Sequence, residues 1–193
     1  MKILRYDDYP VAPWKNGQGV TRDIVKLAPE ETGFIWRLSL ADVGQSGAFS
    51  EFDGCDRTIT LLDGAGFTLN FEDRTEKTLD TPYEPYDFDG GAPLFCSLLD
   101  GPCRDFNLMV ERHRASAQWH VHDPIDPLIL EPQSGATRLI FCLQGHAWLE
   151  TQNGGRETMK QWDSAVLDAG DTVTLTTDAE TASKLFYAFI TEG

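Results

Sequence analysis

Apolar and polar side chains alternate along this chain in short runs, and turn residues close each run. Between Phe34 and Val43, Phe34, Trp36, Leu38 and Leu40 fall on one side of an extended strand and Ile35, Arg37, Ser39 and Ala41 on the other, because successive strand side chains point to opposite faces. The first set reads as the core face. "RTITLLDG" from Arg57 ends in an Asp63-Gly64 turn, and "LFCSLLDGPCRDFNLMV" reads as two strands joined by Asp100-Gly101-Pro102. Similar runs occupy residues 137–143, 147–151, 172–176 and 185–191. No segment sustains a 3.6-residue period. The pattern predicts an all-β sandwich or barrel with few, short helices.

A faint repeat lies beneath the alternation. At an offset of 81 residues (Arg57 to Arg138), Ile59 matches Ile140, Leu62 matches Leu143, Gly64 matches Gly145 and Phe67 matches Trp148. Matches in one register predict two copies of a single β unit. "HVHDPIDPLILEPQSG", with three prolines, reads as a crossover between them. The expected division is a first barrel over residues 1–112, a second over 113–193, and a linker near 112–136.

Composition narrows the function. The 193 residues carry 16 Lys and Arg against 31 Asp and Glu, a formal charge of −15. Such a surface repels nucleic-acid phosphates and anionic lipid, so neither is expected as a partner. Any anion site must gather positive charge locally. No run approaches the roughly 20 apolar residues of a membrane span. "MKILRYDDYP" lacks a signal-peptide core, so a cytoplasmic location is expected. Cys55, Cys96, Cys103 and Cys142 form no CxxC pair and show no zinc or redox spacing. Cys96 and Cys142 read as small buried hydrophobes.

Four segments carry a resemblance: "WKNGQGVTRDI", "WRLSLADV", "GAFSEFDGCDRTITLLDGAGFTL" and "LLDGPCRDFNLMV", in that order over residues 14–110. Together they resemble the signature segments of the HutD/Ves family of small bacterial proteins. The resemblance implies an all-β double cupin, two jelly-roll barrels that can each contain a ligand. It implies a binding role without established catalysis: HutD is associated with histidine utilisation, where it is thought to bind an intermediate, N-formylglutamate being favoured, and to moderate the pathway. Ves proteins are linked to cold or stress response.

Candidate binding residues come from three β segments. In "WKNGQGVTRDI" the plain reading is a hairpin with an exposed lysine, since Asn16-Gly17 tolerates positive φ. As a family signature, the tract instead becomes a pocket wall. Trp14 supplies an apolar surface, Lys15 charge, Asn16 amide donors and Thr21 a hydroxyl, while backbone N–H groups near Gly17 and Gly19 approach a carboxylate. Arg37 and Ser39 share a strand face, and arginine presents a fork suited to a carboxylate. Cys103, Asp105, Asn107 and Met109 share another, a mixed lining in which Asp105 and Asn107 either meet the pocket or face solvent. Arg57 either faces the same cavity or pairs with Asp56 or Asp105. The expected partner is a small carboxylate metabolite, with a homodimer left open.

The competing reading is a cupin enzyme, of isomerase or metal-dependent oxygenase type, acting on a small organic substrate. Cupin enzymes commonly hold a metal through a His-x-His pair, a carboxylate and a further histidine. The histidines here are His113, His120, His122 and His146, and none lies in "FSEFDGCDRTITLLDG", where the first barrel's pair belongs. His120 and His122 share a strand face but stand outside that segment and read as surface residues. No metal and no cofactor is expected. A third class is an interaction module using an outer sheet.

Overall fold

The computed structural model describes residues 1–28, 33–123, 126–177 and 182–193. Its strands in chain order are β1 (Lys2–Leu4), β2 (Val11–Pro13), β3 (Gly19–Leu27), β4 (Trp36–Val43), β5 (Gly47–Ala48), β6 (Cys55–Asp63), β7 (Phe67–Phe71), β8 (Glu76–Leu79), β9 (Pro85–Asp89) and β10 (Leu94–Leu98). They continue with β11 (Cys103–Glu111), β12 (Ala115–His122), β13 (Leu128–Leu130), β14 (Ala136–Gln144), β15 (His146–Thr151), β16 (Arg156–Lys160), β17 (Ser164–Leu167), β18 (Val173–Thr176) and β19 (Lys184–Glu192). Among the described residues the helical content is a single 3-10 turn, Tyr6–Asp8, and no helix is long and apolar enough to cross a membrane.

The chain divides into two compact units, Pro10–Ala115 and Met1–Tyr9 with Ser116–Gly193. The first nine residues, which the sequence assigned to the N-terminal barrel, belong to the C-terminal unit. There β1 pairs with β17, Arg5 bonds Asp163, and the buried Tyr9 hydroxyl meets Ser164 Oγ at 2.8 Å. The expected linker is also more structured than its prolines suggested. It contains β12, with His120 and His122, and β13; its Pro124 and Ile125 lie outside the described residues.

Each unit is a pair of antiparallel sheets, and the strand order repeats. The N-terminal unit has β2-β3-β4-β11-β6-β9 facing β5-β10-β7-β8; the C-terminal unit has β1-β17-β14-β19-β12 and β13-β18-β15-β16. Read as β4-β11-β6-β9 and β12-β19-β14-β17, the large sheets correspond strand for strand. Arg57 and Arg138 are each third in their strand, and Ile59 and Ile140 are each fully buried. Gly64 and Gly145 both adopt positive φ, where a Cβ would meet backbone or side-chain oxygen at 2.6 and 2.5 Å. The repeat slips by one after this turn. Phe67 and Ala147 are the buried equivalents, and Trp148 lies in the outer row beside His146 and Arg156, because the first copy has the longer Gly64–Gly66 turn.

The core of the N-terminal unit includes Ala41, Val43, Ile59, Leu61, Phe67, Leu69 and Cys96. On β4 this is the face of Arg37, Ser39 and Ala41. The opposite face, which the sequence read as a core face, is buried as well, with Trp36, Leu38 and Leu40 all in the core. One end of the interior on the Arg37 face is polar.

Candidate binding site

That polar end is a cavity of about 460 Å³, wholly within the Pro10–Ala115 unit. Register builds its floor. Arg37 lies opposite Met109, Met109 opposite Arg57, and Arg57 opposite Phe88, a row crossing β4, β11, β6 and β9. The adjoining row holds Asp23, Ser39, Asn107 and Ile59. A period of two on each strand brings every second residue to the cavity.

The entrance tract is shaped by its glycines. Gly17 sits at φ +71° and closes a turn in which its N–H donates to Trp14 O at 3.0 Å. A Cβ on Gly19 would stand 2.5 Å from Asp42 O and 3.1 Å from the Trp14 ring, so only glycine lets the indole lie against the strand. Trp14 Nε1 donates to Thr21 Oγ1 at 2.8 Å, and the ring meets Phe49 edge-on at 6.2 Å.

Nine of the predicted residues line the cavity: Trp14, Lys15, Asn16, Thr21, Arg37, Ser39, Arg57, Asn107 and Met109. Two do not. Gly17 borders a separate shallow hollow, and its N–H is already used. Asp105 lies behind the lining, fully buried. The expected amide donors of Asn16 are engaged within the loop: Nδ2 donates to Gln18 Oε1 at 2.8 Å, and Oδ1 accepts from Gln18 N at 3.0 Å. Pattern reading missed Pro13, Ala41, Ala48, Phe49, Ser50 and Phe52. The usable signal was "AFSEF", two aromatics three apart in a segment too short and too turn-rich for a helix.

The three cations differ. Lys15 is exposed at the rim. Arg37 gives Nε and one terminal nitrogen to Asp23 Oδ1, the former at 2.7 Å. Arg57 is the buried one. Its Nε donates to Asn107 Oδ1 at 2.8 Å, and its guanidinium carbon lies 5.0 Å from the Phe49 ring centroid and 5.3 Å from that of Phe88. Its terminal amino groups have no acceptor among the described residues. Burial lowers Arg57 to about 10, opposed by the nearby Asp105 charge, so it remains a cation at neutral pH. Asn107 Nδ2 donates to Asp105 Oδ1. Burial pushes Asp105 up to about 7, against the Arg57 charge and the Asn107 bond, which both lower it.

The lining is therefore cations, amides, hydroxyls and aromatic walls. This donor set does not fit the histidine-rich metal centre that cupin enzymes commonly carry. Among the described residues no group of three or more His, Cys, Asp or Glu is placed to hold a metal. His120 is exposed and His122 partly buried. All four thiols are free and buried, and burial pushes Cys103 and Cys142 up to about 12.

At the repeat-equivalent position the same residue type does something else. Arg138 is fully buried and donates to four backbone carbonyls, those of Leu130, Glu131, Asp168 and Asp171. Its charge is spent on tying loops of the C-terminal unit together, whereas Arg57 faces open space.

Comparison with known proteins agrees with this architecture. The family profile described as HutD matches residues 6–186. A Pseudomonas putida protein described as an uncharacterized 21.2 kDa protein in the hutC 3' region is 39% identical over 163 residues, 83% of this chain and 82% of its own. Protein Ves of Cronobacter sakazakii is 40% identical over 124 residues, 64% of this chain and 67% of its own. The structure of HutD from Pseudomonas fluorescens SBW25 superposes with a TM-score of 0.82 at 32% identity, covering 100% of this chain and 98% of that one. A cupin 2 conserved barrel domain protein from Leptotrichia buccalis shares the fold, with a TM-score of 0.59 at 13% identity over 100% and 96% of the two chains. On the profile match, the sequence likeness to its relatives and the shared double-cupin fold, the chain belongs to the HutD/Ves family.

Proposed function

We propose that the N-terminal cavity binds a small carboxylate metabolite, with N-formylglutamate the leading candidate, and that binding serves regulation of histidine utilisation rather than catalysis. The observation that carries this reading is Arg57: a buried guanidinium, fixed at Nε by Asn107, with its terminal amino groups turned to a cavity and no acceptor among the described residues. A desolvated cation with unused donors favours an anion of matching geometry. Each such charge-assisted bond contributes roughly 1.5–3 kcal/mol. Phe49, Phe52 and Trp14 would cover the ligand's carbon skeleton. The link to histidine utilisation draws on family membership and on the location named for the P. putida relative.

A thermal-shift screen of histidine-breakdown intermediates, followed by calorimetry on the hits, tests the proposal. A carboxylate in large excess over its dissociation constant raises apparent stability by a few kcal/mol. Arg57→Met should weaken binding at least about tenfold, the loss of one charge-assisted bond. Full affinity in that variant refutes the assignment, and silence from every carboxylate refutes the function.

A further inference from the structure

A polar chain runs from the cavity floor into the core. Arg57 Nε donates to Asn107 Oδ1 at 2.8 Å, and Asn107 Nδ2 donates to Asp105 Oδ1. The guanidinium orients the amide, because only its oxygen can accept from Nε; the nitrogen must then face Asp105. Asp105 is fully buried, and its Oδ2 has no hydrogen-bond partner. The chain ends in a carboxyl that water does not reach.

The charges around that carboxyl come from four strands. Arg57 on β6 favours its ionised form, and Asp42 on β4 opposes it. Asp42 is itself held by Arg104 and by Arg22 at 3.5 Å. Cys96 on β10 and Cys103 on β11 stay neutral, since burial pushes both thiols up. The guanidinium of Arg57 is therefore what offsets a charge on Asp105.

An anion seated on the terminal amino groups of Arg57 would ask the same guanidinium to offset a second negative charge. Two carboxylates near one desolvated cation disfavour each other's ionisation. The ligand lies in an open cavity with two donors facing it. Asp105 accepts one hydrogen bond and is fully buried. We propose that anion capture at Arg57 is coupled to protonation of Asp105, one proton passing from solvent to Oδ2 for each anion bound. This rests on the carboxylate-binding reading above and adds to it a dependence on pH. Binding tightens as pH falls from about 9 towards 7, by up to about tenfold per unit, and levels off where Asp105 is already protonated in the free protein.

Calorimetry with N-formylglutamate at pH 8, in triethanolamine and in Tris, reads the proton directly, because these anion-free buffer bases release it with different heats. The expected result is uptake of between about 0.4 and 0.9 proton per anion, falling to none in Asp105→Asn. The asparagine keeps an oxygen to accept from Asn107. Equal heats in the two buffers, or undiminished uptake in the variant, overturn the coupling while leaving carboxylate binding intact. Absence of any binding overturns both. Should the variant fail to fold, carboxyl carbon NMR of Asp105 in the wild-type protein decides the matter. Saturating N-formylglutamate should move its titration midpoint up by about one unit or more, and an unmoved midpoint overturns the proposal.

Discussion

Replacing Asp105 by asparagine should change how stability depends on pH. Burial raises the Asp105 carboxyl from an ordinary 3.8 to about 7 in the folded protein. The fold therefore holds this proton more tightly than the unfolded chain does. Its stabilising contribution is complete below about pH 3.8 and is lost as pH climbs through 7. Each unit of difference corresponds to about 1.4 kcal/mol, so the whole window spans roughly 4 kcal/mol. Between pH 8 and pH 5 the part that remains measurable is about 2 to 3 kcal/mol. The assay is urea denaturation of wild type and Asp105→Asn at both pH values. Groups common to both proteins cancel in the difference of differences. The wild type should gain about 2 to 3 kcal/mol on the variant in moving from pH 8 to pH 5. A difference that stays flat to within about 0.5 kcal/mol refutes the claim that Asp105 is desolvated and weakly compensated.

Other substitutions separate the site from its scaffold. Gly19→Ala puts a Cβ 2.5 Å from Asp42 O and against the Trp14 ring, so urea denaturation should show a loss of about 1 to 3 kcal/mol. Arg138→Met should cost about 2 to 3 kcal/mol by stripping donors from the buried Leu130 carbonyl and the part-buried carbonyls of Glu131, Asp168 and Asp171, yet calorimetry on the folded fraction should find carboxylate affinity unchanged. Lys15→Ala should weaken binding less than about fivefold, as exposed ion pairs contribute up to about 1 kcal/mol. A larger effect from Lys15 than from Arg57 would place the anion at the rim instead.

Much of the site was readable because strands impose a period of two. Arg37 with Ser39, and Asn107 with Met109, were placed on shared faces by counting alone, and the register of β4, β11 and β6 brings those faces together. What counting could not give was depth. Asp105 keeps the same parity as Asn107 but sits behind it, because the floor closes over its end of β11 where Ala41 and Leu61 flank it. The hidden role of Asn16 has a similar cause. Its amide is drawn to Gln18, two residues away, a local hydrogen bond that asparagine makes readily in turns. Phe49 and Phe52 escaped because they come from the segment joining β5 to β6, where no periodicity marks direction. The membership of Met1–Tyr9 in the C-terminal unit was equally silent. A three-residue strand carries no mark of its partner, and β17 lies more than 150 residues away in sequence. On β4 composition separated the faces correctly: Leu38 and Leu40 are fully buried core, while Arg37 and Ser39 on the other face line the cavity.

A crystal structure of the protein soaked with N-formylglutamate would show whether Arg57 holds the anion. A carboxylate of the ligand should lie within about 3 Å of the terminal amino groups of Arg57, with its carbon chain against Phe49 and Trp14. Ligand density elsewhere, with Arg57 left facing solvent, would contradict that placement.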